Sequence, residues 1–140
     1  MSQFFDNNHC FVCGKNNPRG LQLQFRYEKE SDQVSCDIRF PSHFQGWAGI
    51  VHGGLVSTSL DEVMVKATEE KGLICVTAEI TVEFKQPAKT ETPYFLSGRV
   101  VEMRHKLVFT EGQLLDENKT IVARARAKFF IVDQKKHSPS

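Results

Sequence analysis

Residues 21 to 28, LQLQFRYE, alternate Leu21, Leu23, Phe25 and Tyr27 with Gln22, Gln24, Arg26 and Glu28, the two-residue period of a strand with one buried face. A second run, QVSCDIRF, ends at Pro41. Between Gly53 and Lys71 the period lengthens. Val56, Leu60, Val63 and Ala67 recur at spacings of four, three and four, which puts them on one helical face, and Gly72 follows as a C-terminal stop. Alternation then returns in TAEITVEF, where Ala78, Ile80, Val82 and Phe84 are expected to share a face, and in YFLSGRVVEM, KLVFTEGQLLD and TIVARARAKFFIV.

The links Arg104 to Lys106 and Asp116 to Lys119 are too short for a crossover helix, so the last strands should pair antiparallel. Two strands, one helix and four strands predict an α+β domain, an antiparallel sheet of about six strands curled round one buried helix. The domain is expected over 21–133. It is preceded by an irregular arm, 1–20, rich in Asn, Gly, Cys and Pro, and followed by a disordered tail over 134–140.

With 140 residues, 40% of them hydrophobic, and eleven Phe, the chain is long and apolar enough for one real core. A net charge of +1 argues against nucleic acid or a membrane as the main partner, so any anion recognition should be local. MSQFFDNNHC lacks the pattern of an export signal and no apolar run is long enough for a bilayer, which predicts a soluble, cytoplasmic protein. Cys10, Cys13, Cys36 and Cys75 are then expected to be reduced thiols.

Chemistry concentrates in GWAGIVHGGLVSTSLDEVM, residues 46–64. Gly53 and Gly54 open the helix, where the first N–H groups have no partner and the dipole is positive. Such a turn can polarise a carbonyl and stabilise an oxyanion. Asp61 lies between the core positions Leu60 and Val63, where an unpaired carboxylate is costly unless it has a partner or a task. Glu62 is expected to point outward, solvated. Eight residues of helix separate Gly53 from Asp61, about 12 Å at about 1.5 Å per residue, too far for both to act on one carbonyl. Two copies with antiparallel helices would bring Asp61 of one towards Gly53 of the other.

GIVHGGLVSTSLDEVM, followed by TAEITVEFKQPAK, resembles the hotdog-fold acyl-CoA thioesterases, in particular the PaaI-type branch with its HGG…D pattern, from about Phe40 to Val132. CFVCGKNNPRGL also recurs in this broad family. The resemblance implies a thioester hydrolase. In it Gly53 supplies the amide that binds the thioester oxygen and His52 positions the thioester. Asp61 of the partner subunit is nucleophile or general base, and Thr77 orients the hydrolytic water. Many relatives carry an Asn at the position of Gly46, and Gln45 beside it is the amide expected to stand in. Gly54 is expected to help bind substrate. The reaction needs no metal or redox cofactor, because coenzyme A is part of the substrate, and the expected partner is a second copy, in a homodimer or homotetramer. The rivals are hydration or dehydration of an acyl thioester, and a binding module that keeps the fold without turnover.

His9, Cys10 and Cys13 lack a second paired motif to complete four ligands, so no metal site is expected. Arg124, Arg126 and Lys128 alternate with alanines and should project from one strand face. Arg104 and Lys106 crowd the preceding turn and are candidates for the phosphates of coenzyme A. His43, His105 and His137 read as surface residues.

Overall fold

The computed structural model describes residues 4–135. Its elements are β1 (Arg26–Glu28), β2 (Gln33–Arg39), a short 3-10 turn (Ser42–Phe44), α1 (Gly53–Glu70), β3 (Leu73–Phe84), β4 (Pro93–Arg104), β5 (Leu107–Leu115) and β6 (Ile121–Gln134). They form the expected α+β arrangement: one antiparallel six-stranded sheet, in the order β1-β2-β4-β5-β6-β3, round a single long helix. No helix among the described residues is long and apolar enough to cross a membrane. The order has one consequence the alternation did not reveal: β3 pairs with β6 and not with its successor β4, which leaves β3 on an edge.

The buried face of α1 holds Val56, Leu60, Val63 and Ala67, as the spacing predicts, together with Ser59, Met64 and Thr68. The sheet meets it with its smallest side chains. Gly98 of β4 pairs with Gly112 of β5, which pairs with Ala125 of β6, so a row of near-bare backbone crosses three strands. A Cβ on Gly98 would lie 2.9 Å from the Val63 carbonyl oxygen, and one on Gly112 would lie 3.1 Å from Met64 Cγ. The helix therefore rests on the main chain of the sheet. Larger side chains fill the flanks: Leu96, Leu114, Val108 and Phe129 are fully buried.

Several boundaries differ from the sequence reading. Of the alternating run 21–28 only Arg26–Glu28 forms a strand. The Leu21 and Leu23 N–H groups bond instead to the carbonyls of Phe11 and Val12, at 2.8 and 2.9 Å, because the arm lies alongside and supplies their partners. Leu21, Leu23 and Phe25 still pack against the core. β3 starts at Leu73, four residues before the alternation is apparent. Gly72 ends α1 at φ +78, and its carbonyl accepts from Lys135 N–H at 2.7 Å. Within the predicted tail, Gln134 still belongs to β6; residues 136–140, His137 among them, lie outside the described residues.

The close seat of α1 yields a stability prediction. Gly98→Ala should destabilise by about 1–3 kcal/mol, as overpacking does against rigid backbone. Gly112→Ala should cost less, since its nearest neighbour is a flexible methionine. Urea denaturation of the two variants checks the order, and equal midpoints would contradict the seat described.

Candidate active site

The first turn of α1 is held by His52. Its Nδ1 accepts from Gly54 N–H at 2.9 Å, which leaves Nε2 as the ring's donor. A Cβ on Gly54 would sit 3.1 Å from Nδ1, which explains the glycine. The Leu55 and Val56 N–H groups bond to the His52 carbonyl. Of the two glycine amides, that of Gly54 is therefore taken by the cap, contrary to the expectation that both are open. The Gly53 N–H has no partner among the described residues.

Beside Gly53 lies a cavity of ≈ 470 Å³ whose apolar walls include Trp47, Ile50, Val56, Phe84 and Val122. Trp47 is 85% and Phe84 53% exposed, an unusual cost for two large aromatic rings on a single chain. The sequence reading missed this cavity; its signal was a Trp and an Ile close before the glycine pair. Gly46 packs on His52, and a Cβ there would lie 3.4 Å from His52 Cα. Gln45 Oε1 accepts from Gly49 N–H at 3.1 Å, closing its own turn, while its backbone bridges Val51, one residue before the His52 cap.

Two turns along the helix, half-buried Asp61 accepts a 2.8 Å hydrogen bond at Oδ1 from Thr77 Oγ1. Burial raises the Asp61 pKa above the usual carboxylate range and the Thr77 bond partly offsets it. A β-bulge aims the threonine: Thr77 pairs with Phe129 and Glu79 with Lys128, leaving Ala78 unmatched. Phe129 faces the core and Lys128 faces solvent, so the extra residue lets Thr77 look towards α1 while Glu79, Thr81 and Glu83 look outward. Ala78 was expected to share a face with Ile80, Val82 and Phe84; it is instead the bulged residue and is exposed.

Glu62 departs most from expectation. Its side chain is only 14% exposed, and its two carboxylate oxygens accept from the thiols of Cys10, at 3.7 Å, and Cys13, at 3.4 Å. Lys66 Nζ stands 4.0 Å away. Burial raises the Glu62 pKa against the pull of Lys66. Burial, then the Glu62 charge, pushes the Cys13 thiol up to about 12.

The basic candidates lie elsewhere. Arg104 and Lys106 border the β4–β5 turn, and Arg104 pairs through β5 and β6 with the level of Val76, three strands or about 14 Å from β3. The Arg104 guanidinium stacks 4.7 Å above the Phe109 ring and contacts Glu102 at 3.1 Å, while Lys106 is exposed. Arg124, Arg126 and Lys128 do project from the outer face, where Glu83 and Glu79 of β3 meet Arg124 and Lys128 at 3.4 and 3.8 Å. His43 and His105 are exposed.

Comparison with known proteins bears on this arrangement. The thioesterase superfamily matches residues 48–123, a span that contains His52, Gly53, Asp61 and Thr77. Over 119 residues the chain is 27% identical to the acyl-coenzyme A thioesterase THEM4 of Rattus norvegicus, covering 84% of this chain and 51% of that protein; it thus spans about half the length of this relative. Among solved structures, the thioesterase superfamily protein RHA08564 superposes with a TM-score of 0.82 at 21% identity, over 89% of this chain and 60% of that one. The PaaI protein of the E. coli phenylacetic acid degradation operon does so with a TM-score of 0.73 at 14% identity, over 82% and 83%. A family match across more than half of the sequence, on a sheet wrapped round one helix, places this chain in the thioesterase superfamily, with the hotdog fold.

Proposed function

We propose that the protein hydrolyses acyl-CoA thioesters to a free acid and coenzyme A, in sites shared between two copies. The observation that carries this reading is the half-buried Asp61 carboxylate, held at one oxygen by Thr77 and without a second partner among the described residues. A carboxylate kept in a poorly solvated place and oriented through one oxygen has the other free to act on water.

In the proposed reaction the thioester carbonyl oxygen accepts from the Gly53 N–H at the positive end of α1, with His52 Nε2–H beside it as a further donor. Asp61 of the partner subunit takes a proton from water, whose oxygen attacks the carbonyl carbon. The oxyanion collapses, the C–S bond breaks, and the coenzyme A thiolate leaves and is protonated. Direct attack by Asp61, with water then cleaving the resulting anhydride, uses the same residues. The apolar cavity beside Gly53 would take the acyl chain, covering Trp47 and Phe84. Arg104 and Lys106 are the proposed contacts for phosphate, and no cofactor enters any step.

A second copy is required by distance, since Gly53 and Asp61 of one chain lie about 12 Å apart along the helix. It is favoured by β3. This strand is twelve residues long, stands on the sheet edge, and has partly buried Ile80 and Val82 beside exposed Phe84. A long apolar edge is an aggregation hazard unless something pairs with it. Antiparallel pairing of β3 with its own copy would set the two helices side by side in opposite directions.

Three outcomes are expected. Asp61→Asn should lower kcat for thiol release about 10²- to 10⁴-fold without lowering the melting temperature, because it removes a buried charge; a panel of short, long and aromatic acyl-CoAs provides the substrates, and binding without release by the wild type would favour a non-catalytic module. Thr77→Val should lower kcat about tenfold or more with little change in KM, the mark of a group that orients the base; unchanged kcat would remove it from the mechanism. Gly53→Pro deletes the amide proton at a helix position that tolerates proline. Co-expressed with Asp61→Asn, it should restore about a quarter of wild-type activity, since half of randomly assorted dimers carry one intact site. No recovery would mean that the two residues do not meet across subunits.

A further inference from the structure

The arm and α1 meet at a cluster that hydrolysis does not use. Cys10, Cys13 and Glu62 place two sulfurs and a carboxylate oxygen within 4.8 Å of one another. The Cys-Phe-Val-Cys-Gly turn is built to present both sulfurs on one side. Val12 N–H donates to Cys10 Sγ at 3.4 Å and Gly14 N–H to the Cys10 carbonyl at 2.9 Å. A Cβ on Gly14 would lie 2.4 Å from Cys10 N, so only glycine closes this turn. The third group comes from the helix, 49 residues further along the chain from Cys13, which is why the Cys pair looked incomplete in the sequence.

We propose that Cys10, Cys13 and Glu62 form a zinc site that clamps the arm to α1, with solvent as fourth ligand. Zn–S bonds of about 2.3 Å and Zn–O bonds of about 2.1 Å in a tetrahedron set S···O edges of about 3.6 Å. Cys10 Sγ stands 3.7 Å from Glu62 Oε2 and Cys13 Sγ 3.4 Å from Oε1, and one carboxylate oxygen lies within 4.8 Å of both sulfurs, so turning the carboxylate to bring that oxygen between them completes the donor set. Thiolate donors select a soft divalent cation over magnesium or calcium. On binding, zinc replaces the two thiol protons, which leave to solvent. Two thiolates, one carboxylate and Zn²⁺ then carry one net negative charge, which faces Lys66 Nζ at 4.0 Å from Glu62, a cation shared with Glu69 at 3.1 Å. Cys13 and Lys66 also line an open surface pocket of ≈ 770 Å³, which gives the ion a way in and leaves room for the solvent ligand.

The test uses the full chain, reduced, equilibrated with zinc and passed through gel filtration. One zinc per chain should be retained, and saturating zinc should raise the melting temperature by roughly 5 °C. Glu62→Gln should weaken binding at least about tenfold, and Cys13→Ser should abolish retention. Cobalt titrated into the wild type reads the same site without any variant: the expected signature is thiolate-to-cobalt charge transfer with the strong visible bands of a tetrahedral ion. No retained zinc and no charge-transfer band would overturn the proposal. So would zinc that is retained equally by both variants, or a Cys10–Cys13 disulfide that forms in preference to metal binding under the same reducing conditions. None of these readouts depends on thioester hydrolysis, so the zinc site and the catalytic reading fail separately.

Discussion

The contact on which this structure depends is the seat of α1 on the bare backbone of the row formed by Gly98, Gly112 and Ala125. A helix needs about 10 Å of room with its side chains, and a sheet can wrap it closely only where its own inner side chains are minimal. The alanines of β6, at 123, 125 and 127, extend that trench along the strand. Bulkier residues at either end, Leu96 and Leu114 on one side and Val108 and Phe129 on the other, keep the helix from sliding. The sheet thereby fixes both the axis of α1 and the position of its N-terminus.

Once the axis is fixed, the chemistry is distributed along it. The helix offers its positive end at Gly53 and carries Asp61 two turns later on a side not covered by the middle strands. At that level β3 is the neighbouring strand, and an ordinary β3 would show the wrong face to the helix. The bulge at Ala78 corrects the alternation locally, so that Thr77 bonds to Asp61 while the outward glutamates of β3 still meet Arg124 and Lys128. One extra residue thus serves the site and the surface together. The cost is an edge strand whose apolar side is only partly covered by its own chain.

Much of this was legible in the sequence because it rests on periodicity. The spacing of Val56, Leu60, Val63 and Ala67 revealed the helix, and alternation revealed the later strands, because in both cases burial on one face repeats with the backbone geometry. What escaped was set by partners distant in the chain. The alternation at Leu21, Leu23 and Phe25 was real, but the Leu21 and Leu23 N–H groups bond to Phe11 and Val12 of the arm rather than to a strand. The neighbour of β3 was not legible for the same reason, since nothing local tells a strand which of several antiparallel partners it will meet. Within the site, Asp61 and Gly53 stood out by violating the pattern of a buried helix. Gln45 did not, and its side chain turned out to close its own turn.

Asp61 and Glu62 show how adjacent acids come to serve unrelated purposes. Consecutive residues on a helix point about 100° apart, so a helix wrapped on one side by a sheet can turn one carboxylate to the sheet edge and the next to whatever lies beyond it. Here the arm lies beyond it, and its two thiols cover Glu62 to the point where that carboxylate is nearly as sheltered as a core group. An exposed glutamate would have needed no such cover, and an arm held only by apolar contacts would have needed no carboxylate. Their pairing places a clamp on the flank of α1 distinct from the Asp61 face, so the arm can be fastened without obstructing the edge where Thr77 and Asp61 meet.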